Sequence, residues 1–288
     1  MTKPAQAIRP KQRGGKGIVI ADITSLLGAL LIYAVPFYFI LVNSFKDRKN
    51  AGLMNLLWPE TLHIAENYTE VLTTNNNAFF RGFINSGIIT AGSILLLALV
   101  CGMAGYVIHR RSKGKLMILV NFIILAGLMV PPSIMPTISV LKWLGLYKTL
   151  YGMILVEVAL NIPFATILYR GYMVSIPKEL EEAALADGCG KIRLFFQVVF
   201  PLLLPVTSTI AVLTGIQVFN DFTNPLYFLP GANNVTVQLT LYNFLGKYGS
   251  YWNMLFADVV LITIPPLILF IVLNKKIVSG LTAGAIKG

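Results

Sequence analysis

The sequence predicts an all-α fold, specifically a polytopic membrane protein with six transmembrane helices. Three observations predict it. Of the 288 residues, 56% are hydrophobic and only 12% charged, about half the charged fraction of an ordinary soluble domain; mean hydropathy is +0.73. Six apolar runs, near residues 18–43, 83–108, 115–140, 151–173, 196–219 and 253–274, meet the requirement of about 20 residues for a bilayer crossing. With the N-terminus inside, the internal segments hold sixteen of the 23 Lys and Arg and the external ones seven. The positive-inside rule then places both termini in the cytoplasm. The net charge of +11 therefore belongs to segments flanking a membrane, and no nucleic-acid partner is expected.

Residues 1–17 form a basic tail rich in Gly and Pro, a composition that does not fold alone and suits the neighbourhood of anionic headgroups. The first apolar run is too long for a cleavable signal and lacks a small-residue cleavage site, so it reads as a retained span. The external loop, about residues 44–82, is the most polar long segment, with an extended tip at Asn75, Asn76 and Asn77; solvation is favoured over packing on a partner. In the second span Ala98 with Gly102, and Cys101 with Gly105, put small residues four apart, so another helix approaches closely there.

The third span is broken by Pro131, Pro132 and Pro136, and the fourth carries Glu157, Asn161 and Pro163. Carbonyls freed by such breaks are tolerated only where protein or a water-filled cavity satisfies them. Glu157 at mid-depth marks either a pathway or a buried hydrogen bond between helices. Asp221 and Asp258 lie nearer the external face and read as interfacial. Cys101 and Cys189 sit in a span and a loop, and His63 and His109 on opposite sides of the membrane, so no disulfide and no metal site is expected. No paired carboxylates or nucleophile motif gathers at one face, so no catalytic residue is assigned.

Against this apolar background, residues 179–187 hold Glu179, Glu181, Glu182 and Asp187, a third of the twelve acids. Pro177 suits a helix's first turn, the glutamates complement the macrodipole at its start, and Gly188 supplies the stop. A helix of roughly ten residues follows, too short and too charged to span. On it Leu180, Ala183, Ala184 and Asp187 recur at i, i+3, i+4 and i+7, one face with a shallow alanine surface. An inner leaflet attracts basic residues, so acids beside such a face fit a protein partner better than lipid.

Glu182-Ala183-Ala184, then Gly188, then Val198-Val199-Phe200-Pro201 resembles the EAA loop of ATP-binding-cassette (ABC) importer permeases, with Val and Phe replacing the usual Ile and Leu at its end. The run FNDFTNPLYFL at 219–229 and the ending SGLTAGAIKG at 279–288 resemble the carbohydrate-uptake, MalG-like branch of these binding-protein-dependent permeases. The resemblance covers about residues 81–288. It implies a type I ABC importer permease fold: a first helix and external loop over 18–80, a transmembrane permease core over 81–274 with a coupling loop at 177–201, and a cytoplasmic tail at 275–288.

The implied partners are a second permease subunit (MalF-like), ATPase subunits inside and a sugar-binding protein outside, at the cytoplasmic (inner) membrane. The chain would bind no cofactor itself, ATP being used by the partner ATPase. Its own sequence agrees, since GCGKIR at 188–193 lacks the leading glycine and the hydroxyl residue of a phosphate loop. Glu179, Leu180, Glu182, Ala183, Ala184, Asp187 and Gly188 would dock the ATPase, with Gly188 setting the angle to the fifth span, and a flexible tail from Ser279 would reach the ATPases. Glu157, Asn161, Gln217, Asn220 and Tyr227 are candidates for the substrate pathway, the last four because sugars need hydrogen-bond partners and aromatic faces. Two alternatives stay open: an ion-coupled secondary transporter using Glu157 and Asp258, and an ABC permease for a non-sugar solute.

Overall fold

The computed structural model describes residues 15–231, 234–246 and 249–285, which are mainly helical with no strand among them. Nine helices carry the architecture: α1 (Gly15–Ser44), α2 (Ile64–Arg110), α3 (Lys115–Ala126), α4 (Ile134–Trp143), α5 (Leu150–Tyr172), α6 (Glu179–Ala186), α7 (Lys191–Leu202), α8 (Leu204–Phe219) and α9 (Trp252–Ala285). Three stretches among the described residues, Ala21–Ser44, Ile64–Arg110 and Leu150–Ser175, are each long and apolar enough to cross a membrane. The bent pair α7–α8 makes a fourth, and Lys115–Ala126 and Trp252–Ile268 are shorter apolar helices.

The centre of the bundle is α2 against α5. A Cβ added at Gly105 would lie 2.7 Å from the Tyr169 Cβ and 3.0 Å from the Arg170 amide nitrogen, so the two backbones meet where only glycine fits. Of the two small-residue pairs, Cys101, Gly102 and Gly105 are buried and Ala98 is half-buried. α5 starts on a built cap, with Thr149 Oγ1 accepting from the Gly152 amide at 3.0 Å. By contrast α1 lies at the periphery, with Leu26, Ile32 and Tyr33 all at least 70% exposed, as suits a lipid-facing helix whose apolar residues have no core to enter.

Several expectations need correction. The Asn-rich tip is not extended: Asn75, Asn76 and Asn77 take φ of 52°, 55° and 57°, three left-handed residues that turn the chain between a helical arm at 64–73 and the long span. Asn tolerates that conformation because its short side chain bonds locally. The base of the polar loop over 44–82 is not solvated but folded onto the protein itself. Lys46 is buried, its Nζ donating to Asn43 Oδ1 at 3.0 Å and to the Asn55 carbonyl and Oδ1, both at 2.8 Å. Asn67 Nδ2 donates to the Ser44 and Lys46 carbonyls, and Asn253 Nδ2 to Asn67 Oδ1 at 2.7 Å, which ties the arm to α9. Asp258 is fully buried rather than interfacial, because a 3₁₀ segment at Val237–Phe244 folds over it and Thr240 Oγ1 donates to its Oδ2 at 2.9 Å.

The third span divides where Pro131 and Pro132 predict, between α3 and α4, while Pro136 is tolerated in the first turn of α4. The fifth span is not one straight helix. α7 and α8 meet at 71° around Leu203, where Pro201 and Pro205 each withhold an amide donor, and Phe195–Val199 winds as a π-helix just before the bend. Helical backbone begins already at Gly15, within the segment read as a tail, and α9 continues past residue 274 to Ala285, so the C-terminal segment is a helical extension and not a flexible tail over its described part. Residues 1–14 and 286–288 of the two predicted tails lie outside the described residues.

Candidate coupling helix and pathway face

The acidic stretch folds as α6, eight residues instead of ten, with Pro177 left just before it. Its end is a complete Schellman closure: the Gly188 amide donates to the Leu185 carbonyl at 3.1 Å and the Cys189 amide to the Ala184 carbonyl at 3.0 Å. Gly188 carries the left-handed turn at φ +79°. Leu180, Ala183 and Asp187 of the predicted face are exposed, as are Glu179 and Glu182, whereas Ala184 is half-buried and packs against the core. The open surface is thus centred on Leu180, Ala183 and Asp187, with Glu182 beside it in an i,i+4 ion pair with Lys178 at 3.4 Å.

The residue that holds α6 to the bundle was read from the sequence as one of its clustered acids but not as a structural anchor. Glu181 is buried, accepting from Arg110 Nε at 2.7 Å through Oε1 and from the Tyr106 hydroxyl at 2.9 Å through Oε2. Arg110 Nη2 also donates to the Ile176 carbonyl at 3.1 Å, so one guanidinium at the end of α2 grips the loop on both sides of Pro177. The signal was present in the spacing. Glu181 stands off the Leu180–Ala183–Ala184–Asp187 face, roughly one helical residue step of 100° from Leu180, and a glutamate turned inward needs a cation.

The candidate pathway residues separate into two groups. Glu157 and Asn161 are buried within the bundle, where Asn161 Nδ2 donates to the Glu157 carbonyl at 2.9 Å. The Glu157 carboxylate adjoins Asp221 and Asn224. Gln217, Asn220 and Tyr227 instead lie exposed. Asn220 Oδ1 accepts from Gln238 Nε2 at 3.1 Å, and the Tyr227 carbonyl accepts from the Tyr147 hydroxyl at 3.3 Å. Beside them Phe222 and Tyr242 stack at 5.3 Å and 21°, an aromatic pair that sequence reasoning missed because the two rings come from segments twenty residues apart. Exposed amides on an otherwise apolar membrane helix are costly toward lipid and suit a hydrated or protein-covered face.

Several apolar helices long enough to cross a bilayer, with a short capped helix set between two of them, define a multi-pass membrane protein. Residues 94–283 match the family described as binding-protein-dependent transport system inner membrane component. The chain belongs to that family and is an ABC transporter permease. It is 32% identical to a probable ABC transporter permease protein, YurM, of Bacillus subtilis over 99% of this chain and 95% of that one. It is 31% identical to the melibiose/raffinose/stachyose import permease protein MelC of Bacillus subtilis, over 92% and 96%. Identity with the trehalose/maltose transport system permease protein MalG of Thermococcus litoralis is 32%, over 94% and 98%. Among solved structures, a chain of a bacterial ABC transporter involved in the import of the acidic polysaccharide alginate shares the fold with a TM-score of 0.74, at 21% identity over 94% of this chain and 99% of that one.

Proposed function

We propose that the chain is one of two permease subunits of an ATP-driven, binding-protein-dependent importer of a sugar, with oligosaccharides the favoured class. The observation that carries the reading is α6: a capped helix with an open face of Leu180, Ala183 and Asp187, clamped by Glu181 to the end of α2 and joined by a four-residue turn to the bent pair α7–α8. The full-length similarity to permeases named for melibiose, raffinose, stachyose, trehalose and maltose supports the substrate class. In this reading six spans cross the cytoplasmic membrane with both termini inside, α3–α4 and α9 supplying the third and sixth. A separate ATPase dimer receives Leu180, Ala183 and Asp187, and the external arm faces a sugar-binding protein. Gln217, Asn220 and Tyr227 line half of a pathway, while Glu157 and Asn161 brace it from within.

ATP-driven closure of the ATPase would displace α6, and the Arg110–Glu181 clamp would pass that displacement to α2 while α7 passes it to α8 at the Leu203 bend. The test is uptake of labelled oligosaccharides into proteoliposomes holding the assembled transporter and its binding protein. Uptake should require internal or accessible ATP and persist when ionophores collapse proton and sodium gradients. Uptake that survives ATP depletion but stops with the gradients would replace this reading with ion-coupled transport.

A further inference from the structure

We propose that the cavity between the end of α2 and the start of α7 is a binding site for one anionic phospholipid of the leaflet on the α6 side. The cavity measures about 350 Å³. Met103, Val107, Phe195 and Phe196 make its apolar wall, and Arg111 and Lys191 stand at it as cations. Met103, Val107 and Phe196 are each at least 38% exposed, so the wall is open to its surroundings. Arg110 also borders the cavity but is committed to Glu181. Among the described residues, Arg111 and Lys191 have no carboxylate partner.

Charge and depth together select the occupant. The cavity lies where α2 ends as an apolar span and two basic side chains begin, which is headgroup level, and basic pockets between membrane helices on the cytoplasmic side suit anionic headgroups. An acyl chain would lie against the Phe195 and Phe196 rings while the phosphate bridges Arg111 and Lys191. The basic residues of segment 1–14 would be repelled by those two cations. The ATPase is an unsuitable occupant because Leu185, which borders the cavity, is two residues and roughly 200° of helix from Ala183 on the exposed face. The choice of leaflet rests on the topology proposed above, whereas binding of an anionic headgroup rests on Arg111 and Lys191 beside an apolar wall.

The assembled transporter would be placed in nanodiscs of phosphatidylcholine with graded phosphatidylglycerol, and retained lipid measured by native mass spectrometry. One phosphatidylglycerol per copy of this chain should be retained, with affinity lowered about fivefold by Arg111→Gln or by Lys191→Gln, the loss expected for about 1 kcal/mol per basic residue at a membrane surface. Lys113→Gln, a neighbouring cation outside the cavity, should leave retention unchanged. Equal retention in wild type and both cavity variants would overturn the proposal, and so would an equal loss on Lys113→Gln, which would mark a diffuse charge effect. Loss of the ATPase from the complex in pure phosphatidylcholine on Arg111→Gln or Lys191→Gln would also overturn it, because the surface would then be a protein contact. Failure of sugar uptake in wild type in every lipid, with retention as expected, would instead count against the transport reading alone.

Discussion

At the scale of single residues, the two acids next to each other in α6 have opposite tasks. Glu182 is exposed beside Lys178, and an exposed i,i+4 pair is worth only about 0.3–0.5 kcal/mol. Glu182→Ala should therefore leave the melting temperature of the detergent-solubilised protein within a degree or two, whatever it does to coupling. Glu181 is buried between Arg110 and Tyr106, and removing one partner of a buried pair leaves the other charge unpaired. Arg110→Ala should cost about 3 kcal/mol, the low end for such pairs because the guanidinium is still 17% exposed. Reversal of the pair, Glu181→Arg with Arg110→Glu, should recover part of the sugar-stimulated ATP hydrolysis that each single reversal loses. No recovery in the double variant would show that the clamp is not the coupling link. Gly188→Val should cost about 1–3 kcal/mol through backbone strain alone, since nothing lies within 4 Å of an added Cβ. Gly188→Asn should restore most of that stability in the same melt, because Asn tolerates φ near +79°.

At the scale of elements, the contact of α2 with α5 is the most demanding in the bundle. Gly105→Ala would drive a methyl group against Tyr169, which is fully buried, and against the Arg170 backbone. Overpacking of this kind costs about 1–3 kcal/mol, and the expected readout is a lower melting temperature with a smaller monodisperse fraction in detergent. What was legible in the sequence was local. The four-residue spacing of small residues announces this contact, Pro131 and Pro132 announce the break in the third span, and Gly188 announces the end of α6. What was not legible depended on partners distant in the chain. Glu181 is fixed by an arginine 71 residues earlier, and Asp258 is buried because a 3₁₀ segment returns over it with Thr240. The bend at Leu203 was missed for another reason: periodicity and hydropathy are the same for a straight span and for two halves at 71°.

At the scale of the whole molecule, one end of the bundle carries the open face of α6 and the other a polar scaffold built on Lys46, Asn67 and Asn253. Much of the surface between is apolar, from Leu26 and Ile32 on α1 to Ile268 and Ile271 on α9, as a lipid environment requires. The candidate residues fall into unlike groups on this surface: Gln217 and Asn220 stand open at the end of α8, and Glu157 is enclosed within the bundle. Ala183→Asp tests the central claim most directly, since Ala183 is exposed and, unlike Ala184, the substitution disturbs no core contact. The measurement is sugar-stimulated ATP hydrolysis by the reconstituted transporter with its binding protein. The account predicts that the variant reaches the membrane in normal amount with its melting temperature unchanged, while stimulation falls at least about tenfold, a loss of about 1.4 kcal/mol at the docking contact. Undiminished stimulation in that variant would contradict the assignment of α6 as the surface through which the ATPase drives transport.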